Sequence, residues 1–255
     1  GLPKDVQVSL YRSVRGLSRA VLVRLAYAIE YDCIDPTALS PALEYHHVSG
    51  LFTAGQINGT SGYEEAAAQG ILAGMNAALY VRNSEPFILT RDQAYIGVMA
   101  DDLTTKGTDE PYRMMTSRAE HRLYLRQDNA DLRLTERSHS IGLASDERLR
   151  RVEKKARETE TLVRLMNETG MAAKVRRPEC SLTPPEEWGD FAPDSVEQAE
   201  LQVKYEGYLQ KEQTQIRQAR AMEDKRLPAD APYMDISGLR IEARQKLNRQ
   251  KPVSL

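Results

Sequence analysis

Six residues within eight positions, Gly55, Gln56, Asn58, Gly59, Thr60 and Gly62, bring together what a binding turn needs. The glycines remove Cβ atoms from the approach of a ligand, and the short polar side chains can address it. The apolar run Gly50 to Ala54 ahead of the turn predicts a short buried strand. From Tyr63 onward the pattern predicts a helix with a small-residue face at Ala66, Ala67, Gly70, Ala73, Gly74 and Ala77, able to approach a neighbour closely. A helix start offers unpaired N–H groups and a positive dipole end, so the unit is suited to a phosphate or a polarised planar ring. Glycine turns before alanine-rich helices also serve plain packing, and spacing alone leaves both readings open.

A second concentration of chemistry is basic. Ser117 and Glu120 have the spacing of a capping box, which predicts a helix from Arg118. On that helix Arg118, Arg122 and Arg126 fall four apart on one face, flanked by Arg113 and Arg133. Such a stack is either a forked donor array for nucleic-acid phosphates or a set of partners for Glu120, Asp128 and Asp131. Between Arg113 and Arg137 six arginines stand against four acids, so neither reading is excluded. Glu30 and Asp32 lie two apart on one face of a predicted strand, as a substrate-facing pair or a solvated edge. The adjacent pair Asp101-Asp102 would diverge by about 100° on a helix and reads as structural, or as arginine partners, rather than as acid and base.

Composition narrows the classes. Lys and Arg total 35 against 37 acids, a net charge of -2, so any nucleic-acid surface must be a local patch. Cys33 and Cys180 are too few and too far apart for a disulfide framework or a metal site and are assigned to structure; such usage fits a reducing cytosol or mitochondrial matrix. No apolar run reaches membrane-spanning length, no leader pattern opens the chain, and the first residue is Gly1, which suggests a piece of a longer protein.

The elements that must position these residues follow in order. Pro3 opens a short amphipathic helix with Val6, Leu10 and Val14 on one face and Gly16 as its cap. Ala20 to Asp35, stopped by Pro36, and Leu39 to His47, with a turn at Pro41, predict strands. After a composition shift at 82–86 everything reads as helix and loop. Thr90 caps a predicted helix from Arg91 to Thr105 that ends at Gly107. Ser145 caps an amphipathic helix whose apolar stripe is Leu149, Val152, Ala156, Thr159, Val163 and Met166. From Arg148 to Arg164 seven basic residues stand against three acids, as a solvated face or an RNA flank. Arg176 to Pro193, with Trp188, reads as a connector or mobile loop, Ser195 to Arg226 as a long polar helix interrupted at Gly207, and Ile236 to Pro252 as a turn and short helix. Tyr205, Tyr208 and Leu209 either pack on the preceding helices or face RNA. The expected fold class is α+β, mainly α.

The string A-G-Q-x-N-G-x-x-G-Y-x-E-A-A-A-Q-G-x-x-A-G-x-N-A at Ala54 to Ala77 resembles the signature of the glucose-inhibited division protein A family (GidA, also called MnmG). Glu110 onward resembles its E-P-Y-R-M-x-T-S-R-A-E-x-R-L-x-L-R-x-D-N-A-D-x-R-L-T, with Met115 and His121 replacing aromatics. Tyr27 to Pro36 matches a third motif, with Leu25-Ala26 in place of Pro-Gly and Cys33-Ile34 in place of Phe-Phe. Leu2 to Pro252 is covered, and the chain stops before the family's A-S-R-I-x-G-V-T-P. The resemblance implies a C-terminal remnant of an FAD-binding α/β (Rossmann-like) domain at 1–86, a helical domain at 87–192 and a helical module at 193–255 that lacks its end. It further implies an FAD enzyme using NADH, methylene-tetrahydrofolate and glycine or ammonia. With a GTPase partner, MnmE, such an enzyme builds a carboxymethylaminomethyl or aminomethyl group on carbon 5 of the tRNA wobble uridine. A homodimer in the bacterial cytoplasm, or the mitochondrial matrix if organellar, is implied as well.

Carried onto this sequence, Gln56 is the main flavin contact, with Gly55, Asn58, Gly59, Thr60 and Gly62 lining its turn; Arg113, Arg118, Arg122, Arg126 and Arg133 are the tRNA-facing set where the arginines answer phosphates rather than the neighbouring acids. Neither Cys33 nor Cys180 matches the family's catalytic cysteines, so no catalytic residue is assigned. Two rival readings are a folate- and FAD-dependent tRNA uridine methyltransferase and a non-catalytic helical module docking tRNA or protein. The sequence holds no G-x-G-x-x-G turn for the adenosine diphosphate half of the cofactor. The isolated chain is therefore expected to be catalytically inactive and to hold FAD weakly or not at all. An absorbance spectrum of the purified chain checks this; a bound-flavin band would contradict it.

Overall fold

The computed structural model describes residues 2–228, 230–252 and 254, and it divides into two units. One is the chain up to Phe87 together with Ala100–Met114; the other is Ile88–Met99 together with the chain from Met115.

In the first unit α1 (Lys4–Ser13) forms as predicted, but Val6, Leu10 and Val14 are exposed and the buried residue is Gln7. Its carboxamide donates to the Leu2 and Ala26 carbonyls at 2.6 and 3.1 Å and accepts from the Ala26 N–H at 2.9 Å, so a polar anchor replaces the expected apolar one. The three predicted strands are not formed: among the described residues only isolated bridges occur, including Leu39 with Tyr45 and Glu44 with Phe52. A strand is stabilised through a neighbouring backbone, and Ala20 to Asp35 finds little beyond an Ile34 N–H bond to the Ile57 carbonyl at 2.8 Å. Asp35 instead caps a short 3-10 turn, Pro36–Ala38, by accepting from the Thr37 N–H at 2.9 Å. At 39–53 the Ser40 hydroxyl accepts from the N–H groups of Ala42 and Glu44, tightening a turn in which the fully buried Leu43 adopts a left-handed φ of 63°.

α2 (Tyr63–Val81) starts where the sequence predicts. Its buried face is Glu65, Gln69, Leu72, Ala73, Asn76 and Leu79, a helical stripe in which three of six members are polar. The expected close approach along the small-residue face is not made at Gly70 or Gly74, where an added Cβ would meet nothing within 4 Å. The stripe works by hydrogen bonding. Asn76 donates to the carbonyls of Ala42, Leu72 and Phe87 at 3.0–3.3 Å and accepts from the Phe87 N–H at 2.6 Å, tying both flanking segments to the helix.

α3 (Tyr95–Asp101) begins four residues later than predicted, because Thr90 bonds Asp92 and its N–H bonds the Gln93 side chain in a turn of their own. A wide π-type turn, Asp102–Lys106, follows and ends at Gly107, as predicted, with φ 69°.

The second unit holds α4 (Ala130–Ser140), α5 (Asp146–Glu168), α6 (Met171–Val175), α7 (Pro193–Lys204), α8 (Glu206–Glu223) and α9 (Ile241–Gln250). Ser145 caps α5 through the Arg148 N–H, as its type predicts. The buried stripe of α5 keeps Thr159 and Met166 of the expected one, but Lys155 is buried in place of Ala156, and Leu162 in place of Val163. Lys155 enters the interior because Asp131 at 2.9 Å and the Asp128 carbonyl at 3.0 Å neutralise and bond its ammonium. Leu162, Met166, Ala172, Val175, Leu182, Ala199 and Val203 make the core, against which Trp188 and Phe191 pack. The proline-rich stretch 176–193 is therefore an anchored loop rather than a mobile one. The predicted long helix is broken at Tyr205, two residues ahead of Gly207. No helix among the described residues is long and apolar enough to cross a membrane.

Asn76→Ala should remove the carboxamide's bonds to the Ala42 carbonyl and to the Phe87 carbonyl and N–H and lower stability by roughly 2–3 kcal/mol in urea denaturation, whereas the exposed Gly74→Ala should be neutral or slightly stabilising.

Candidate functional site

The loop before α2 is built around two left-handed glycines, Gly55 at φ 85° and Gly59 at φ 79°, which bracket a 3-10 turn, Gly55–Asn58. Beneath it lies Gln69 of α2, fully buried. Its Oε1 accepts from the Gly55 N–H at 3.1 Å and from Asn58 Nδ2 at 2.8 Å, and its Nε2 donates to Thr60 Oγ1 at 3.0 Å. Asn58 also donates to the Thr53 carbonyl at 2.9 Å. Of the six residues singled out in the sequence, Gly55, Asn58, Gly59, Thr60 and Gly62 are buried, and Gln56 alone presents an exposed side chain. A Cβ on Gly59 would fall 2.7 Å from Thr108 Cγ2, and one on Gly62 would fall 1.8 Å from Glu65 Oε2 and 2.8 Å from Arg113 Nε. These glycines make room for the protein's own side chains.

Gln56 borders a cleft of about 320 Å³ lined also by Glu30, Tyr31, Cys33, Gly59, Thr60 and the 108–111 segment. That segment is held by a Tyr112 N–H bond to the Gly59 carbonyl at 2.8 Å and by the Tyr112 hydroxyl on buried Asp102 at 3.0 Å. Lys106 reaches the other oxygen of Asp102 at 2.6 Å, so this acid is structural, with a lysine and a tyrosine as partners. Asp32 borders a neighbouring hollow with Cys33, Ala54 and Gln56, so Glu30 and Asp32 do not form a pair on one face.

Electrostatics correct the expected phosphate site. Glu64 and Glu65 already occupy the first turn of α2. Burial opposes ionisation of Glu65, but hydrogen bonds from the Met114 N–H at 2.6 Å, its own N–H and Arg113 outweigh it and hold its carboxyl below the usual range. With Glu30, Asp109 and Glu110 on the cleft walls, a phosphate there would meet like charge. The Gln56 carboxamide offers both a donor and an acceptor at this cleft.

The predicted arginine face does not exist. Thr116–Arg118 is a single 3-10 turn, and the chain from Ala119 to Asn129 is not helical. Glu120 pairs with Arg91 at 2.6 Å and does not close the capping box, while Glu212 accepts from the Tyr124 N–H at 2.8 Å and Asn129 donates to the Tyr124 carbonyl at 3.0 Å. Arg126 lies on Asp128 and the Leu123 carbonyl, and Arg133 on Asn129 and the Arg126 carbonyl. Arg113 lies on Glu65 at 3.2 Å. Arg118 and Arg122 are exposed.

The comparisons agree with one another. Residues 1–85 match the family model for glucose inhibited division protein A, and residues 215–255 match that for the tRNA modifying enzyme MnmG/GidA C-terminal helical bundle. The chain belongs to the glucose-inhibited division protein A family. All of it aligns, at 50% identity, with 45% of the tRNA uridine 5-carboxymethylaminomethyl modification enzyme MnmG of Alkaliphilus metalliredigens, and at 49% with 45% of that of Caldicellulosiruptor saccharolyticus. It is similar, over 99% of its length and 45% of the other chain, to the solved Aquifex aeolicus GidA in its form II crystal, with a TM-score of 0.77 and 45% identity. It thus spans a little under half the length of these relatives.

In this GidA-family chain the residues that sequence reasoning misses are Glu65 and Gln69. Their signal is present: two polar residues four apart, on one face of a helix made mostly of small and apolar ones. The folded carboxyl of Glu65 ionises below its ordinary value of 4.5, so its stabilisation is complete above that pH and is lost as pH falls through the folded value. In calorimetry Glu65→Gln should therefore melt earlier than the parent at pH 7, and the gap should narrow only as the pH falls below 4.5.

Proposed function

We propose that this chain is the C-terminal part of an FAD enzyme that modifies carbon 5 of the tRNA wobble uridine, with residues 1–86 as the end of its Rossmann-like flavin domain and 87–192 and 193–255 as helical modules. The observation that carries the reading is the Gln56 cleft, formed within the family's own A-G-Q-x-N-G string in a chain half identical to enzymes named for that modification. A flavin supplies hydride and electron transfer when bound. Gln56, with Gly59, Thr60 and the 108–111 segment lining the same cleft, would hold it, the carboxamide of Gln56 supplying a donor and an acceptor. Nothing in the cleft accommodates the diphosphate, which agrees with the acidic walls and requires the remainder of a longer protein. NADH, methylene-tetrahydrofolate, glycine or ammonia, the GTPase MnmE, a homodimer and a cytoplasmic setting belong to the same proposal.

For tRNA, the geometry separates the five candidate arginines. Arg113, Arg126 and Arg133 are engaged with the protein's own acids, amides and carbonyls, and a guanidinium so engaged has little left for a phosphate. Arg113, Arg118 and Arg122 are exposed; with Arg113 held on Glu65, we assign the phosphate contacts first to Arg122, with the exposed Arg118 beside it in the same stretch of chain. Binding of tRNA to the chain between low and moderate salt tests this. Arg118→Ala/Arg122→Ala should flatten the salt slope by about 0.9 for each phosphate no longer neutralised. Arg126→Ala should keep the slope and melt earlier. An unchanged slope in the double variant would move the RNA surface elsewhere.

A further inference from the structure

The flavin reading leaves Gln69 without a task, although it is fully buried and its carboxamide bonds the loop that carries Gln56. These bonds reach Gly55, Asn58 and Thr60, one residue before Gln56 and two and four after it. Within that loop the backbone adds a bond from the Gly59 N–H to the Gln56 carbonyl at 2.9 Å. Both ends of the turn sit at left-handed glycines, where several other conformations are open to the chain. What selects this conformation comes from α2. The carboxamide also has a defined orientation: reversing it would set its NH₂ against the Gly55 N–H and the Asn58 NH₂, three donors facing one another.

We propose that Gln69 is the positioning residue of the flavin contact: from α2, without touching the ligand, it fixes the turn that places the Gln56 side chain in the cleft. The inference rests on the reading of Gln56 as that contact, and it concerns this chain's own residues.

Two measurements test it. Hydrogen exchange on the chain alone should show the Gly55 amide exchanging at least about tenfold faster in Gln69→Leu, with the amides of Leu72 and Ala73 unchanged. Gln69→Glu keeps acceptor oxygens for Gly55 and Asn58 and should preserve most of that protection. In the FAD-loaded enzyme, Gln69→Leu should raise the flavin dissociation constant about tenfold, and should add little in a Gln56→Ala background. Unchanged Gly55 exchange, or effects of the two substitutions that multiply, would overturn the proposal. If Gln56→Ala leaves flavin affinity intact, the reading of Gln56 fails, while the Gly55 exchange still decides whether Gln69 holds the turn. Should Gln69→Leu fail to fold, Thr60→Val removes the acceptor of Gln69 Nε2 and carries the exchange test, with faster Gly55 exchange supporting the proposal and no change opposing it.

Discussion

The first unit depends on one constraint: the buried face of α2 is polar, and its carboxylate and carboxamides draw their partners from the surrounding loops, with Glu65 Oε2 alone of their oxygens and nitrogens left without a hydrogen bond. Burying a carboxylate and two carboxamides without partners would cost several kcal/mol. Satisfied, they specify where three stretches of irregular chain must lie. Glu65 takes the Met114 N–H and Arg113, Gln69 takes the Gly55 to Thr60 turn, and Asn76 takes Ala42 and Phe87. Leu72, Ala73 and Leu79 supply the apolar contact between them, but contact of that kind is non-directional. Direction comes from the hydrogen bonds, which is how loops with almost no sheet pairing hold defined positions.

The second unit obeys the same rule with opposite charge. Arg126, Arg133 and the buried Lys155 are not displayed to solvent; they are consumed in fixing the segment around Asp128 and Asn129. Arg126 accounts for Asp128 and the Leu123 carbonyl, and Lys155 for Asp131. In Asp128 burial resists the charge, and the bonds from Arg126 and Gln198 outweigh it, so the pair stays ionised well below neutral pH. A near-neutral chain with many arginines is therefore not necessarily presenting them: six against four in one stretch leaves only a small excess for a partner.

How much of this is legible in the sequence follows from the range of each signal. The bounds of α2, the Ser145 cap, the stop at Gly107 and the tail helix rest on local chemistry, and each stands close to its predicted place. The strands expected at 20–35, 39–47 and 50–54 rest on β-branched and aromatic content, a preference that acts only when another strand is alongside, and none is among the described residues. The capping box at Ser117 has the right letters, but Glu120 is drawn to Arg91, 29 residues away in sequence, a competitor that no local window contains. The turn glycines mark the site, yet Gly59 and Gly62 serve Thr108 and Glu65, because a missing Cβ does not say which neighbour fills the space.

The acids on the cleft walls narrow what the opening beside Gln56 can hold. Glu30, Asp109 and Glu110 make the opening beside Gln56 a poor place for phosphate, so the charged portion of a dinucleotide has to be bound by groups outside it. The same acids would leave an uncharged ring edge undisturbed and would favour a cationic or amine-bearing molecule in front of it. The cleft therefore sorts ligands by charge before any specific contact is made, and the carboxamide of Gln56, able to donate and accept, then selects among uncharged edges by hydrogen-bond pattern alone. Selection of that kind is only as sharp as the side chain is fixed, which brings the chemistry of the cleft back to the buried polar face of α2.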